Sequence, residues 1–163
     1  MIVVSDTTPL ISLLKTGRLD ILEKLFGEVR IPDAVFEELT SNPRYSDEAA
    51  AIRSYPYIDI ISVNDTDAVD QVSREDGLDL GESEAIVLTQ EISADLLLMD
   101  EARGRDVARS MGLRITGTVG ILLLSYERGI LNKDEIVDCV ERLRDANRFI
   151  GERYLQLLLE RIQ

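Results

Sequence analysis

Residues 2–8 read IVVSDTT, and the aspartate that closes this run decides how the chain folds. Ile2, Val3 and Val4 show no alternation of polar and apolar side chains, which is the pattern of a strand buried on both faces of a parallel sheet. Asp6 then stands at the carboxyl end of that strand, the edge where open α/β sheets gather ligands and catalytic groups. A second reading makes Asp6 or Thr7 the cap of a helix that begins near Pro9. The two readings part on whether other acids reach the same edge.

Outward from this stretch, the run DLLLMD (95–100) repeats the arrangement and ends in Asp100. EVRIP (28–32), YIDIISV (57–63) and LRI (113–115) read as further short strands. Between them the apolar residues recur at helical spacing. Leu10 to Leu14 predict a helix stopped by Gly17, and Leu19 to Phe26 one stopped by Gly27. Pro32 opens the first turn of a helix through Leu39, and a charged helix runs from about Ser46 to Arg53. Helices follow from about Thr66 to Glu75, along LGESEAIVLTQEI (80–92), from about Ala102 to Met111 and from about Val119 to Arg128. Two more, from about Lys133 to Ala146 and Gly151 to Ile162, close the chain.

This alternation predicts an α/β fold, a central parallel sheet with helices on both faces. Length, with no linker, repeat or low-complexity segment, predicts one domain over 1–163 with helices 132–163 packed on it. Tyr154, Leu155, Leu157, Leu158 and Ile162 form a broad apolar stripe on the last helix. Packing within the domain is its expected use, and a dimer interface is the alternative.

Composition narrows the chemistry. The chain has no histidine and one cysteine, Cys139, which excludes Cys/His zinc sites, Ser-His-Asp and Cys-His mechanisms, and an internal disulfide. No apolar run reaches the roughly 18 residues of a membrane span, and the amino terminus lacks a signal-peptide pattern, so a cytoplasmic protein without membrane contact is expected. Against 18 basic residues stand 31 acidic ones, a net charge of -13 and the opposite of the usual footprint of a nucleic-acid binder. Such a surface also suits a basic protein partner.

Four acidic positions stand out: Asp6 and Asp100 after apolar strands, Glu38 on the helix after Pro32, and Glu82 at a helix start with Glu84 two residues on. Two carboxylates about 4 Å apart repel by roughly 4 kcal/mol at an effective dielectric near 20. A cluster of three or four therefore asks for a cation, and without histidine the fitting choice is Mg²⁺ or Mn²⁺, which take oxygen ligands. Such an ion lowers the pKa of a bound water and stabilises charge on a phosphate oxygen, the chemistry of phosphodiester hydrolysis. Glu82 at a helix start is equally explained by the helix dipole, and Glu38 by solvation beside Glu37.

The ordered set IVVSDTTPLI, IPDAVFEEL, GESEAI and LLLMDEARGRDVARSMGLRITGTVGIL resembles the PIN-domain family, from residue 2 to about residue 130. The likeness is to a PIN-like branch compared with the toxin nucleases of toxin-antitoxin pairs. It implies a three-layer α/β/α, Rossmann-like sandwich and a Mg²⁺- or Mn²⁺-dependent ribonuclease site of three or four acids. Position by position, the resemblance places catalytic acids at Asp6, Glu38, Glu82 and Asp100, with Asp6, Glu82, Asp100 and Glu84 as metal ligands. Glu84 is the alternative to Glu82 as the third acid, and Glu101 is an outer ligand. Glutamate stands at the third position where the family more often has aspartate, so that carboxylate reaches one methylene further.

Thr7 follows the first acid, and Arg103 and Arg105 follow Asp100; these are the expected substrate-binding residues, with Arg109 expected to pair with a nearby acid. The expected partners are an RNA substrate, an antitoxin-like protein and a second copy in a homodimer. A PIN-like interaction protein without significant catalysis is the alternative from another class. A phosphatase with a nucleophilic aspartate needs a second aspartate two residues after Asp6, where Thr8 stands, and a receiver domain lacks its acidic pair after the first strand.

Overall fold

Five segments pair as parallel strands, and in the central ones β-branched and leucine side chains bury on both faces, as in Val3–Ser5, whose three residues are all buried, whereas the edge strand Ile58–Ile61 leaves Asp59 and Ile60 exposed. In the computed structural model, which describes residues 1–148 and 150–163, the strands are β1 (Val3–Ser5), β2 (Val29–Pro32), β3 (Ile58–Ile61), β4 (Leu96–Leu98) and β5 (Ile115–Thr116). They form one sheet in the order β3-β2-β1-β4-β5. Every pairing is parallel, with Val3 opposite both Val29 and Leu96, Ile31 opposite Ile60, and Leu98 opposite Thr116.

The helices are α1 (Thr7–Lys15), α2 (Asp20–Phe26), α3 (Asp33–Ser41), α4 (Ser46–Ser54), α5 (Thr66–Asp76), α6 (Leu80–Glu91), α7 (Ala102–Ser110), α8 (Thr118–Glu127), α9 (Lys133–Asp145) and α10 (Glu152–Arg161). Successive strand residues point to opposite faces and so feed two separate cores. Val3, Val29, Ile31 and Leu98 join Leu10, Leu22, Leu122, Ile136 and Leu155 in one; Val4, Leu97 and Met99 join Val69, Val72, Ile86 and Ala108 in the other. The result is a three-layer α/β/α sandwich.

Two local readings of the sequence shift. Pro32 is the last residue of β2, opposite Ile61, with φ -74° and ψ 163°; the helix starts one residue later at Asp33. Proline's fixed φ suits an extended strand end as well as a first helical turn. On α10, Leu155, Leu158 and Ile162 are buried within the domain, whereas Tyr154 and Leu157 are 60% and 48% exposed. Among the described residues, no helix is long and apolar enough to cross a membrane.

The topology also locates a crevice. From β1 the chain steps outward through β2 to β3, then returns to place β4 on the opposite flank of β1. Strand order thus reverses between β1 and β4, and a crevice opens beyond their carboxyl ends. There the Asp6 N–H donates to the Leu98 carbonyl at 2.9 Å, so Asp6 begins where both strands end.

Candidate active site

Asp6 occupies the position before α1 with φ -79° and ψ 174°, yet its side chain makes no capping hydrogen bond. The cap reading therefore fails for this residue. Asp6 is only 3% exposed. Burial raises its pKa well above the ordinary carboxylate value; the Thr7 backbone N–H offsets part of this, and the negative charges of Glu82, Asp79 and Glu38 push it further up. Among the described residues, the charges that act on this carboxylate are those of other acids.

Thr7 turns its hydroxyl away from the helix backbone. Its Oγ1 donates to Glu38 Oε2 at 2.8 Å, joining the start of α1 to α3. Partial burial raises the Glu38 pKa, the Thr7 hydrogen bond lowers it, and the Asp79 charge raises it again. Gly81 makes room for this carboxylate, since a Cβ there would stand 3.2 Å from Glu38 Oε2 and 3.6 Å from Asp79 Oδ1.

Asp79 was missing from the sequence-based set. It begins α6 through a reciprocal capping box, its Oδ1 accepting from the Glu82 N–H at 2.8 Å while Glu82 Oε2 accepts from the Asp79 N–H at 3.1 Å. The spacing Asp79-x-x-Glu82 announces that cap in the sequence and hides the acid's second place, beside Asp6 and Glu38. Glu82 has its pKa raised by partial burial, lowered by the Asp79 backbone, and raised by the charges of Asp79, Glu101 and Glu38. Asp6, Glu38, Asp79 and Glu82 thus form one electrostatically linked group, with Glu101 at its rim. Glu101 caps α7, its Oε2 accepting from the Gly104 N–H at 2.8 Å.

Two other expected acids have separate partners. Glu84 Oε2 accepts from the Ala34 N–H at 2.8 Å, in the first turn of α3. Asp100 Oδ1 accepts from the Thr118 N–H and Oδ2 from the Thr118 hydroxyl, both at 2.7 Å, tying the loop after β4 to the start of α8. A Cβ at Gly117 would stand 2.6 Å from Asp100 Oδ1 and 2.9 Å from Arg105 Nη1, so only glycine admits both groups.

The arginines after Asp100 have their own contacts. The Arg103 guanidinium lies against Gly77, 3.2 Å from its Cβ position, where α5 ends in a left-handed residue. Arg105 Nη1 donates to the Met99 carbonyl at 2.9 Å. Arg109 pairs with Asp106 at 3.4 Å, as its surroundings in the sequence suggest.

The group suits a hard cation in donor chemistry. All its donors are carboxylate oxygens, and among the described residues the buried Asp6 has no ion-pair partner. Among the described residues, no three of these carboxylates converge tightly enough to hold one ion as they stand. Ligation would draw on rotation of the longer Glu38 and Glu82 side chains, now held by Thr7 and by the Asp79 backbone. A family model described as a PIN domain matches residues 2–163. No curated protein matches the chain.

Proposed function

The chain belongs to the PIN-domain family, a family of nucleases, and from that premise we propose that it is a Mg²⁺- or Mn²⁺-dependent endoribonuclease. The observation that carries this reading is the Asp6 carboxylate, buried, uncapped and under the charges of Glu82, Asp79 and Glu38 at the strand-order reversal. Asp6, Glu38, Glu82 and Asp100 are the proposed catalytic acids, with Asp79 added by its place beside them. A divalent ion held there would supply a water of lowered pKa and neutralise charge on the scissile phosphate.

The chain's own residues have distinct tasks in this reading. Asp6 supplies the fixed buried anion, and Thr7 orients Glu38 toward it. Glu82 brings a flexible carboxylate from the start of α6. Asp100 fixes the α8 start, and Arg103 and Arg105 meet substrate phosphates from either side. Glu84 serves α3 as a cap and remains the alternative third acid. A toxin role with a basic antitoxin-like partner and a homodimer belong to the same proposal, and the net charge of -13 suits such a partner.

The test is Mn²⁺ titration calorimetry together with metal-dependent cleavage of a single-stranded RNA, on the wild type and on Asp6→Asn. Saturable binding and cleavage that both vanish in a folded Asp6→Asn variant support the assignment. Wild-type cleavage by that variant would overturn it. The engagement of both Asp100 oxygens by Thr118 favours one second reading, a PIN-like interaction protein of weak or no activity. A wild type that binds no Mn²⁺ at millimolar concentration would establish that reading instead.

A further inference from the structure

Beyond Asp100, a cleft of about 380 Å³ opens between α7, β5, α8 and the start of α10. Its size is that of a small-ligand site. Arg105 and Arg109 line it from α7, Gly117 and Gly120 at the start of α8, and Tyr154 from α10.

Three features make this more than a gap between helices. First, the lining is not acidic: Arg105 and Arg109 offset Asp100 and Asp106 in a chain whose net charge is -13. The Arg105 guanidinium spends one N–H on the Met99 carbonyl and forms no ion pair among the described residues. Arg109 is held only by an exposed, long contact to Asp106, the kind of ion pair that yields easily to a competing anion.

Second, Tyr154 is a large ring left 60% exposed at the cleft wall while the next residue, Leu155, is buried. Its position is built. Gly151, at φ +82°, lets the ring fold back over the chain, and a Cβ there would stand 2.9 Å from Tyr154 Cδ2. Third, Asp100 belongs to both the cleft and the loop that leads to the acids through Glu101. The cleft is thereby one residue along the chain from a carboxylate whose charge acts on Glu82.

Cations for phosphate and an exposed aromatic face are the parts of a single-stranded nucleic-acid subsite, in which bases stack on a ring and the backbone follows basic residues. We infer that this cleft holds one nucleotide of single-stranded RNA next to the cleavage position, its base against Tyr154 and its phosphate on Arg105 and Arg109. The inference rests on the ribonuclease reading for its substrate, while the cleft itself can be tested without catalysis. Duplex RNA is excluded from it, because bases inside a duplex are stacked on their neighbours and offer no free face to the ring.

The chain contains no tryptophan, so Tyr154→Trp places a single indole in the cleft as a reporter. Fluorescence is titrated with a single-stranded oligouridylate and with a duplex of equal length, without divalent metal, and labelled-oligonucleotide anisotropy is read in parallel on wild type, Tyr154→Ala and Arg109→Ala. The expected result is saturable quenching by the single strand alone and about tenfold weaker binding by Tyr154→Ala, the usual scale of one lost base stack. Oligonucleotide binding without quenching, with Tyr154→Ala equal to wild type, would overturn the inference and leave the ribonuclease reading to its own cleavage assay. Quenching by a protein that shows no Mn²⁺-dependent cleavage would keep the cleft as an RNA site and remove the ribonuclease. No binding of any oligonucleotide would overturn the cleft.

Discussion

Thr7 Oγ1 donates a hydrogen bond of 2.8 Å to Glu38 Oε2, across the gap between the first turn of α1 and the second turn of α3. The bond fixes one acid of the site from the residue that follows another. Thr7→Val keeps the shape and removes the donor. It should cost about 1 kcal/mol of stability, the usual worth of such a bond. Because that bond lowers the Glu38 pKa, its loss should move the acidic limb of the cleavage profile to higher pH. The pH dependence of kcat/KM for both proteins checks this, and superimposed profiles would count against it.

Asp6 makes the metal-free fold sensitive to pH in the unusual direction. Its folded pKa lies well above the ordinary 3.8, so the native state holds a proton that the unfolded state releases. Stability from this group is therefore full below pH 3.8, falls as pH rises through the raised value, and stays lost above it. Asp6→Asn should melt higher than the wild type at pH 7 without metal, by about 1–3 kcal/mol, and the difference should vanish near pH 4. Mn²⁺ should raise the Tm of the wild type alone. Calorimetric scans at the two pH values, with and without Mn²⁺, provide the measurement.

Glu82 and Glu84 differ in partner more than in position. Glu84→Ala removes the acceptor of the Ala34 N–H and should cost about 1 kcal/mol, as a lost helix cap does. Glu82→Gln keeps a capping acceptor and removes a charge beside Asp6, so its larger effect should fall on Mn²⁺ affinity. Chemical denaturation and Mn²⁺ calorimetry on both variants separate the two losses. Equal loss of Mn²⁺ affinity in both would make Glu84 a ligand as well.

Gly81 sits inside α6, where alanine is the better helix former by about 1 kcal/mol. The added methyl would stand 3.2 Å from Glu38 Oε2, so the carboxylate must give way by a few tenths of an ångström. Gly81→Ala should therefore hold or raise the Tm while lowering cleavage several-fold. A variant as active as the wild type would show that Glu38 has slack to spare.

The sheet, its parallel sense and the helix boundaries were legible because the signals are local: unbroken apolar runs such as DLLLMD, and glycines such as Gly77 that end a helix. Asp6 was legible for the same reason, as an acid closing a strand. What the sequence could not show depends on distant partners. Thr118 lies 18 residues from Asp100 and takes both of its oxygens. Glu84 meets Ala34 across 50 residues. Asp79 was concealed differently, since its capping spacing accounts for it fully without reference to Asp6. Tyr154 read as one more member of an apolar stripe, because the backbone turn at Gly151 that brings its ring back to the cleft leaves no periodic trace.

The order of the sheet also governs when the site comes into being during synthesis. The strand that carries Asp6 lies at the middle of the sheet, and the Ile2 N–H meets the Asp95 carboxylate across 93 residues. At about 5–20 residues per second, the ribosome takes several seconds to extend the chain from one to the other. A nascent chain shorter than this can pair the strand before Asp6 with β2 but lacks β4, the wall on its other flank. On the proposed ribonuclease reading, a growing polypeptide tethered beside messenger and transfer RNA would be unable to cut them until β4 and the acids around it have left the exit tunnel.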